Sequence, residues 1–208
     1  MRERPILMNA PMVRAVLAGT KTQTRRIVKP QPGVEPKLAQ HLARRGHYEW
    51  FSPNLLRTWR CPYGQPGDRL WVRETWNKFP PWEGYFYAAD DHSFGIGECD
   101  DSDHIEPHNL RWKPSIHMPR EASRLTLEIT EVRVERLNEI SEEDAKAEGI
   151  AYQDDAKEIG RGRLSHDGSV LYDTAREAFV KLWESINGPG SWDANPWVWV
   201  VEFKRLEG

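Results

Sequence analysis

Along residues 123–137, "SRLTLEITEVRVERL", apolar side chains alternate with polar ones and then change phase. Leu125, Leu127 and Ile129 share one parity, and the next apolar pair, Val132 and Val134, has the other. Successive side chains of a β-strand point to opposite faces, so an unbroken strand would turn Val132 and Val134 away from the core that holds the first three. An irregularity near Thr130 restores them, which predicts a β-bulge or sharp bend of the kind barrels use to turn corners.

Further strands are expected at "RPILM", "KTQTRRIV", "RLWVRETW", "GYFYAAD" and the closing "PWVWVVEFKRL". In "RLWVRETW", Leu70, Val72, Glu74 and Trp76 share one face, and Arg69, Trp71, Arg73 and Thr75 the other. Three helices are expected among these strands. The first begins at Pro11 and stops at Gly19. A second, "SEEDAKAEG", has Ser141 as its cap, acids in its first turn and Gly149 as its stop. In the third, Thr174 and Glu177 stand at capping-box spacing, and Ala175, Ala178, Phe179, Leu182, Trp183 and Ile186 form one stripe. Residues 29–66 read as irregular, 90–108 as an acidic loop and 160–169 as a surface loop. Several separated strands with few helices predict an α+β fold: one domain over residues 1–208, a small mixed β-barrel with flanking helices.

No apolar run approaches the roughly 20 residues of a membrane span, and the N-terminus lacks a signal-peptide stretch. A cytoplasmic protein without membrane partners is expected, and two cysteines fit a reducing compartment. Residues 1–73 hold 14 Lys and Arg against 4 Asp and Glu, leaving 15 against 28 for the remainder. Such a basic end can mark a polyanion-binding surface if folding keeps it together.

The densest chemistry lies in "VLAGTKTQTRRIV", residues 16–28. A desolvated lysine beside a threonine hydroxyl can take its proton and make the oxygen nucleophilic. In a strict strand, however, Lys21 and Thr24 point apart, and they converge only if Lys21 still belongs to the turn after Gly19. The stretch therefore admits three readings: a solvated strand, a polyanion contact through Lys21, Arg25 and Arg26, or a catalytic pair. Glu148 is unusual in standing in the last turn of its helix, where the helix dipole disfavours an acid by roughly 0.3–1 kcal/mol. Glu74 shares an apolar face, for which an ion pair with an arginine is the simplest account. Cys61, Cys99, His104 and His108 are possible zinc ligands, but a paired C-x-x-C is missing and Pro107 breaks any helix that would align the histidines, so no metal is expected. Trp192 is expected to plug the barrel end or to stack on a base.

Taken together, "VLAGTKTQTRR", "GDRLWVRETW", "ITEVRVERLNEISEEDAKAEGI" and "WVVEF" resemble the ASCH family, a branch of the PUA-like barrel superfamily, and in particular its longer form common in phage and prophage genomes. The resemblance spans residues 4–28, 62–76, 113–150 and 174–206, with residues 29–61, 91–112 and 151–173 as insertions on a smaller core. Its most specific segment is L-x-G-x-K-T-x-T-x-R, Leu17 to Arg26. Smaller bacterial members are N(4)-acetylcytidine amidohydrolases, which remove an acyl group from the exocyclic amine with a lysine, a threonine and a glutamate. The resemblance thus implies Lys21, Thr24 and Glu148 as catalytic residues, without a cofactor. It also implies Thr22, Arg25, Arg26, Arg73, Glu74 and Trp76 as contacts to a nucleoside or RNA. Other members bind RNA or a modified base without reaction, or cleave RNA, and both alternatives stay open.

Overall fold

The computed structural model describes residues 1–32, 37–38, 50–52, 57–78, 84–90, 111–153, 163–165 and 172–206. Twelve strands are described: β1 (Glu3–Leu7), β2 (Gln23–Ile27), β3 (Lys37–Leu38), β4 (Trp50–Ser52), β5 (Arg57–Trp59), β6 (Arg69–Arg73), β7 (Trp76–Asn77), β8 (Phe86–Tyr87), β9 (Thr126–Arg136), β10 (Ala151–Gln153), β11 (Arg163–Ser165) and β12 (Trp197–Leu206). Three α-helices accompany them: α1 (Ala10–Leu17), α2 (Glu142–Ala147) and α3 (Ala175–Asn187). The fold is mixed α+β, with a core that is mostly sheet.

The main sheet has the order β1-β6-β9-β12-β2. β1 runs parallel to β6, and every other pairing is antiparallel. Among the described residues the two outer strands, β1 and β2, do not pair, so the sheet is open and not a closed barrel. The first and last strands of the chain nevertheless belong to the same sheet, with β12 hydrogen-bonded on both edges.

The phase slip has the expected cause. Pairing passes from Glu202↔Glu131 to Phe203↔Ile129, leaving Thr130 without a partner on β12. The extra residue returns Val132 and Val134 to the cluster that holds Leu125, Leu127 and Ile129.

β12 separates two apolar layers. Trp197, Trp199, Val201 and Phe203 enter the larger one with Ile6, Val13, Leu70 and Val72. Val198 and Val200 enter the other, beneath α2 and α3, with Ala178, Phe179 and Leu182. A strand covered on both faces has to be apolar at every position, which accounts for the run "WVWVV".

Local signals set the helix ends. Asn9 Oδ1 accepts from Met12 N at 3.0 Å, Ser141 Oγ from Asp144 N at 3.0 Å, and Thr174 Oγ1 from Glu177 N at 3.1 Å. Glu142 of α2 also accepts from the backbone N–H groups of Ala175 and Arg176, placing a carboxylate at the positive end of α3 and locking the two helices together.

Several expectations need correction. "RLWVRETW" is not one strand: β6 ends at Arg73, and Trp76 belongs to β7, which pairs with β8 and packs on Met118 and Ala122. Residues 29–66 contain the three-stranded β3-β4-β5 sheet, and the segment 160–169 contains β11, paired with β10. Turn-forming residues hid these short strands, whose hydrogen bonds are made with segments that are themselves short. Trp192 packs edge-on against Phe179 of α3, with ring centroids 6.4 Å apart, and is not a barrel plug. Cys99, His104 and His108 lie outside the described residues, and Cys61 is a buried free thiol. Among the described residues no group of side chains is arranged to hold a metal ion, and no helix is long and apolar enough to cross a membrane.

Candidate functional site

Gly19, with φ +75°, ends α1 and lets the chain fold back under it. Thr20 N and Lys21 N both donate to Ala15 O, so Lys21 does belong to the turn. There it forms a lone β-bridge with Glu148, the residue that caps the C-terminus of α2. Lys21 Nζ donates to the Glu148 backbone oxygen at 2.8 Å and to its Oε2 at 2.9 Å. One ammonium group thus satisfies a carbonyl at the end of α2 and neutralises the acid that the helix dipole disfavours. Both residues are deeply buried, Lys21 at 2% and Glu148 at 3% exposure.

Gly149 makes this approach possible. Its φ is +94°, and a Cβ there would stand 2.8 Å from Ala15 Cβ and 3.1 Å from Lys21 Cβ. Only a residue without a side chain lets the end of α2 come this close to the end of α1.

The next residues of β2 alternate as a strand should. Gln23 and Arg25 face α2, where Gln23 Nε2 donates to Asp144 Oδ1 at 3.0 Å. Arg25 reaches three carboxylates: Glu135 at 2.5 Å, Asp144 at 3.1 Å and Glu148 at 3.3 Å. Arg133 of β9 extends the network to Glu135, Asp144 and Glu202. Cross-strand register explains the assembly: Arg25, Val200 and Arg133 are successive partners across β2, β12 and β9, so both arginines emerge on the same face of the sheet. Lys21, Arg25 and Arg133 thereby meet Glu135, Asp144, Glu148 and Glu202, a set of three cations and four acids.

Burial tunes the network. Desolvation lowers the Lys21 pKa below its ordinary value, against the opposing pull of Glu148, so its neutral amine is easier to reach than that of a surface lysine. For Asp144, burial pushes upward, but the Gln23 hydrogen bond and the charges of Arg25 and Arg133 outweigh it and hold the carboxyl below its ordinary value.

Beside the network opens a cleft of about 440 Å³. Thr24 lines it from the opposite face of β2, and Glu148, Arg25 and Arg26 also reach it. Tyr63, Phe179, Trp183 and Trp199 give it aromatic walls, while Lys29 and Arg60 bring further positive charge. Ile186, the last apolar residue of the α3 stripe, is half exposed because it opens onto this cleft. Glu148 also borders a second cavity of about 220 Å³ with Asn9, Met12 and Gly149.

The expected residues divide into two groups. Thr24, Arg25, Arg26 and Glu148 line the cleft, whereas Lys21 does not: its side chain is wholly buried behind Glu148, to which it is bonded, and it makes no bond to Thr24 among the described residues. Thr22 is exposed and contributes backbone bonds, donating to Ala147 O and accepting from Phe203 N. Arg73, Glu74 and Trp76 are not among the cleft residues. Arg73 stacks over Trp71 at 4.7 Å, and Trp76 carries Lys113 over its ring at 4.9 Å. Glu74 holds Arg124 in a two-pronged ion pair at 2.9 and 3.0 Å, and burial raises its pKa despite that partner. The ion-pair account of Glu74 therefore holds.

Sequence reasoning missed Gln23, Arg133, Glu135, Asp144 and the aromatic walls. For Arg133 and Glu135 a signal existed: with Val132 and Val134 on the core face, their neighbours must face α2 and α3. For Tyr63, Trp183 and Trp199 none did, since they meet only through tertiary packing.

Fold and site together define an α+β protein with a buried ion network beside a basic, aromatic cleft. Compared with models of protein families, with curated proteins and with solved structures, the chain matches none.

Proposed function

We propose that this chain is an ASCH-type, PUA-like protein that hydrolyses the amide of an N-acylated cytidine, with Lys21, Thr24 and Glu148 as catalytic residues. The observation that carries the reading is the buried Lys21–Glu148 contact at 2.9 Å, made across 127 positions of sequence, at the edge of a cleft that Thr24 lines. A barrel reading of the sheet has its own support: Arg26 of β2 donates to Leu7 O of β1 at 2.7 Å, so the two outer strands of the open sheet approach each other.

The chemistry follows from the proton inventory. A neutral lysine has two N–H donors and one lone pair, and Glu148 already accepts two hydrogen bonds from Nζ. The lone pair is then left for the Thr24 proton once substrate binding completes the contact. Thr24 Oγ1 attacks the acyl carbon, and its proton passes to Lys21. The C–N bond breaks as that proton, relayed by Glu148, reaches the departing exocyclic nitrogen. Water then cleaves the acyl-threonine ester, giving free amine and carboxylic acid. Arg25 or Arg26 stabilises the oxyanion.

A second reading has its own observation. The Lys21 side chain has no exposed surface and is held by Glu148 alone among the described residues, an arrangement that suits a structural pair beneath a cleft that only binds RNA or a modified base. Incubating the protein with N(4)-acetylcytidine and reading the products by mass separates the two. Release of cytidine that disappears in Thr24→Val supports hydrolysis. Binding without turnover, surviving in Thr24→Val, supports the module.

A further inference from the structure

Glu148 stands between two spaces, since it borders both the main cleft and the second cavity of about 220 Å³. Met12 of α1 and Leu182 of α3 border both as well, so these side chains form the partition. Met12 is the most yielding of them. It is half-buried and packs against both apolar layers of the fold, and an unbranched thioether adapts its shape to what lies beside it. The exposed residues Asn9 and Ser185 mark the rim of the second cavity, and neither borders the main cleft.

The two spaces differ in chemistry. Several cations border the main cleft, whereas Glu148 is the one charged group on the second cavity among the described residues. That charge is already matched: Lys21 holds its Oε2 at 2.9 Å and Arg25 its Oε1 at 3.3 Å. The other polar groups are engaged too. Asn9 Oδ1 accepts from Met12 N at 3.0 Å, and Ser185 Oγ donates to Leu182 O at 2.7 Å. No residue bordering the second cavity has a buried side-chain N or O atom without a partner among the described residues. A group entering it therefore needs neither charge nor hydrogen bond, and gains by burying carbon against Pro11, Met12 and Leu182. An apolar cavity of about 150 Å³ accepts benzene. The second cavity thus has room for a chain of about four carbons or for an aromatic ring, far more than the methyl of an acetyl group fills.

We infer that the second cavity is an acyl-chain subsite: the amide carbonyl sits in the main cleft between Thr24 and Glu148, and its carbon chain passes Met12 into the side cavity. The substrate class is then a cytidine whose exocyclic amine carries a medium-length or aromatic acyl group in preference to acetyl. That an acyl group is the occupant rests on the hydrolysis proposed above; the neutral, apolar character of the cavity does not.

Hydrolysis of N(4)-acetyl-, N(4)-butyryl- and N(4)-benzoylcytidine by the full chain, read by mass as the cytidine common to all three, tests the inference. Burying two further methylenes predicts a kcat/KM at least about tenfold higher for butyryl than for acetyl. Ser185→Phe, which places a ring at the rim, should bring the two values together, whereas Lys181→Phe, on the same helix but bordering neither space, should leave the ratio in place. Both positions are exposed, so the folded protein survives either change. Met12→Ala, which thins the partition, should raise benzoyl relative to butyryl and gives a second reading independent of the rim. Equal kcat/KM for acetyl and butyryl, or a ratio that Ser185→Phe leaves unchanged, overturns the subsite. Hydrolysis without chain preference would retain the proposed activity and remove only this inference. If no acylcytidine is hydrolysed the proposed activity fails, and calorimetric affinities of the same compounds carry the ratio instead: tighter binding of butyrylcytidine that is lost in Ser185→Phe supports the subsite, and equal or absent binding overturns it.

Discussion

Replacing Lys21 by Met removes a buried ammonium while keeping most of its volume. Glu148, 3% exposed, is left with Arg25 at 3.3 Å as its cationic partner, and its backbone oxygen loses a donor at 2.8 Å. Breaking a buried ion pair by removing one partner costs about 3–5 kcal/mol, and the remaining Arg25 contact argues for the lower end. At about 2–4 °C per kcal/mol for a chain of this size, Lys21→Met should lower the melting temperature by about 6–12 °C. Glu148→Gln should cost less, about 1–2 kcal/mol, because a lysine whose pKa burial has already lowered can release its proton instead of remaining a stranded charge. The double variant should be more stable than the sum of the two losses implies, by about 2 kcal/mol, since neither partner is then left alone. Urea denaturation followed by tryptophan fluorescence measures all three. The pH dependence adds a sign. The folded-state pKa of Lys21 lies below its ordinary 10.5, so between those two values the unfolded chain binds more protons and stability rises with pH. Cys61, whose thiol burial pushes up to about 11, acts in the opposite direction, but it is present in both proteins and cancels in the difference. Wild type should therefore gain stability relative to Lys21→Met as pH climbs toward 10.5. Additive single losses, or a Lys21→Met melting temperature within about 2 °C of wild type, would refute the coupling and with it the buried pair.

Thr24→Val should leave stability within about 1 kcal/mol, because the residue lines the cleft and its hydroxyl makes no hydrogen bond among the described residues, while hydrolysis should fall at least about 100-fold if the oxygen is the nucleophile. Comparing melting curves with product formation checks both halves. Asp144 has a folded-state pKa below 3.8, so it contributes stability above that value that is lost as pH falls through the folded value; Asp144→Asn should flatten the acid limb of a stability–pH profile. Gly149→Ala should destabilise by at least about 1–3 kcal/mol, since it must adopt φ +94° and meet Ala15 Cβ at 2.8 Å; chemical denaturation would read this, and a neutral result would mean that α1 and α2 do not pack as described.

What the sequence determined by itself was local. The caps at Ser141 and Thr174, the stop at Gly19, the α3 stripe and the bulge at Thr130 all follow from steric and hydrogen-bond rules that act within a few residues. The same rules singled out Glu148 as an acid at the wrong end of a helix. Only the tertiary structure decided what such residues meet. Lys21 could have pointed into solvent; the fold-back after Gly19 and the absence of a side chain at Gly149 put it against Glu148 instead. Arg25 and Arg133 face the same helices because β12 sets the register between their strands, a fact stored in neither strand alone. Glu74 and Trp76, which alternation placed beside Leu70 and Val72, were carried to other partners when β6 ended at Arg73. The cleft joins residues from Met12 to Trp199. Periodicity reports which way a side chain leaves its own backbone, whereas a buried charge or an aromatic wall depends on what a distant segment brings to the same place, and that is fixed only when the sheet closes its register and the helices settle on it.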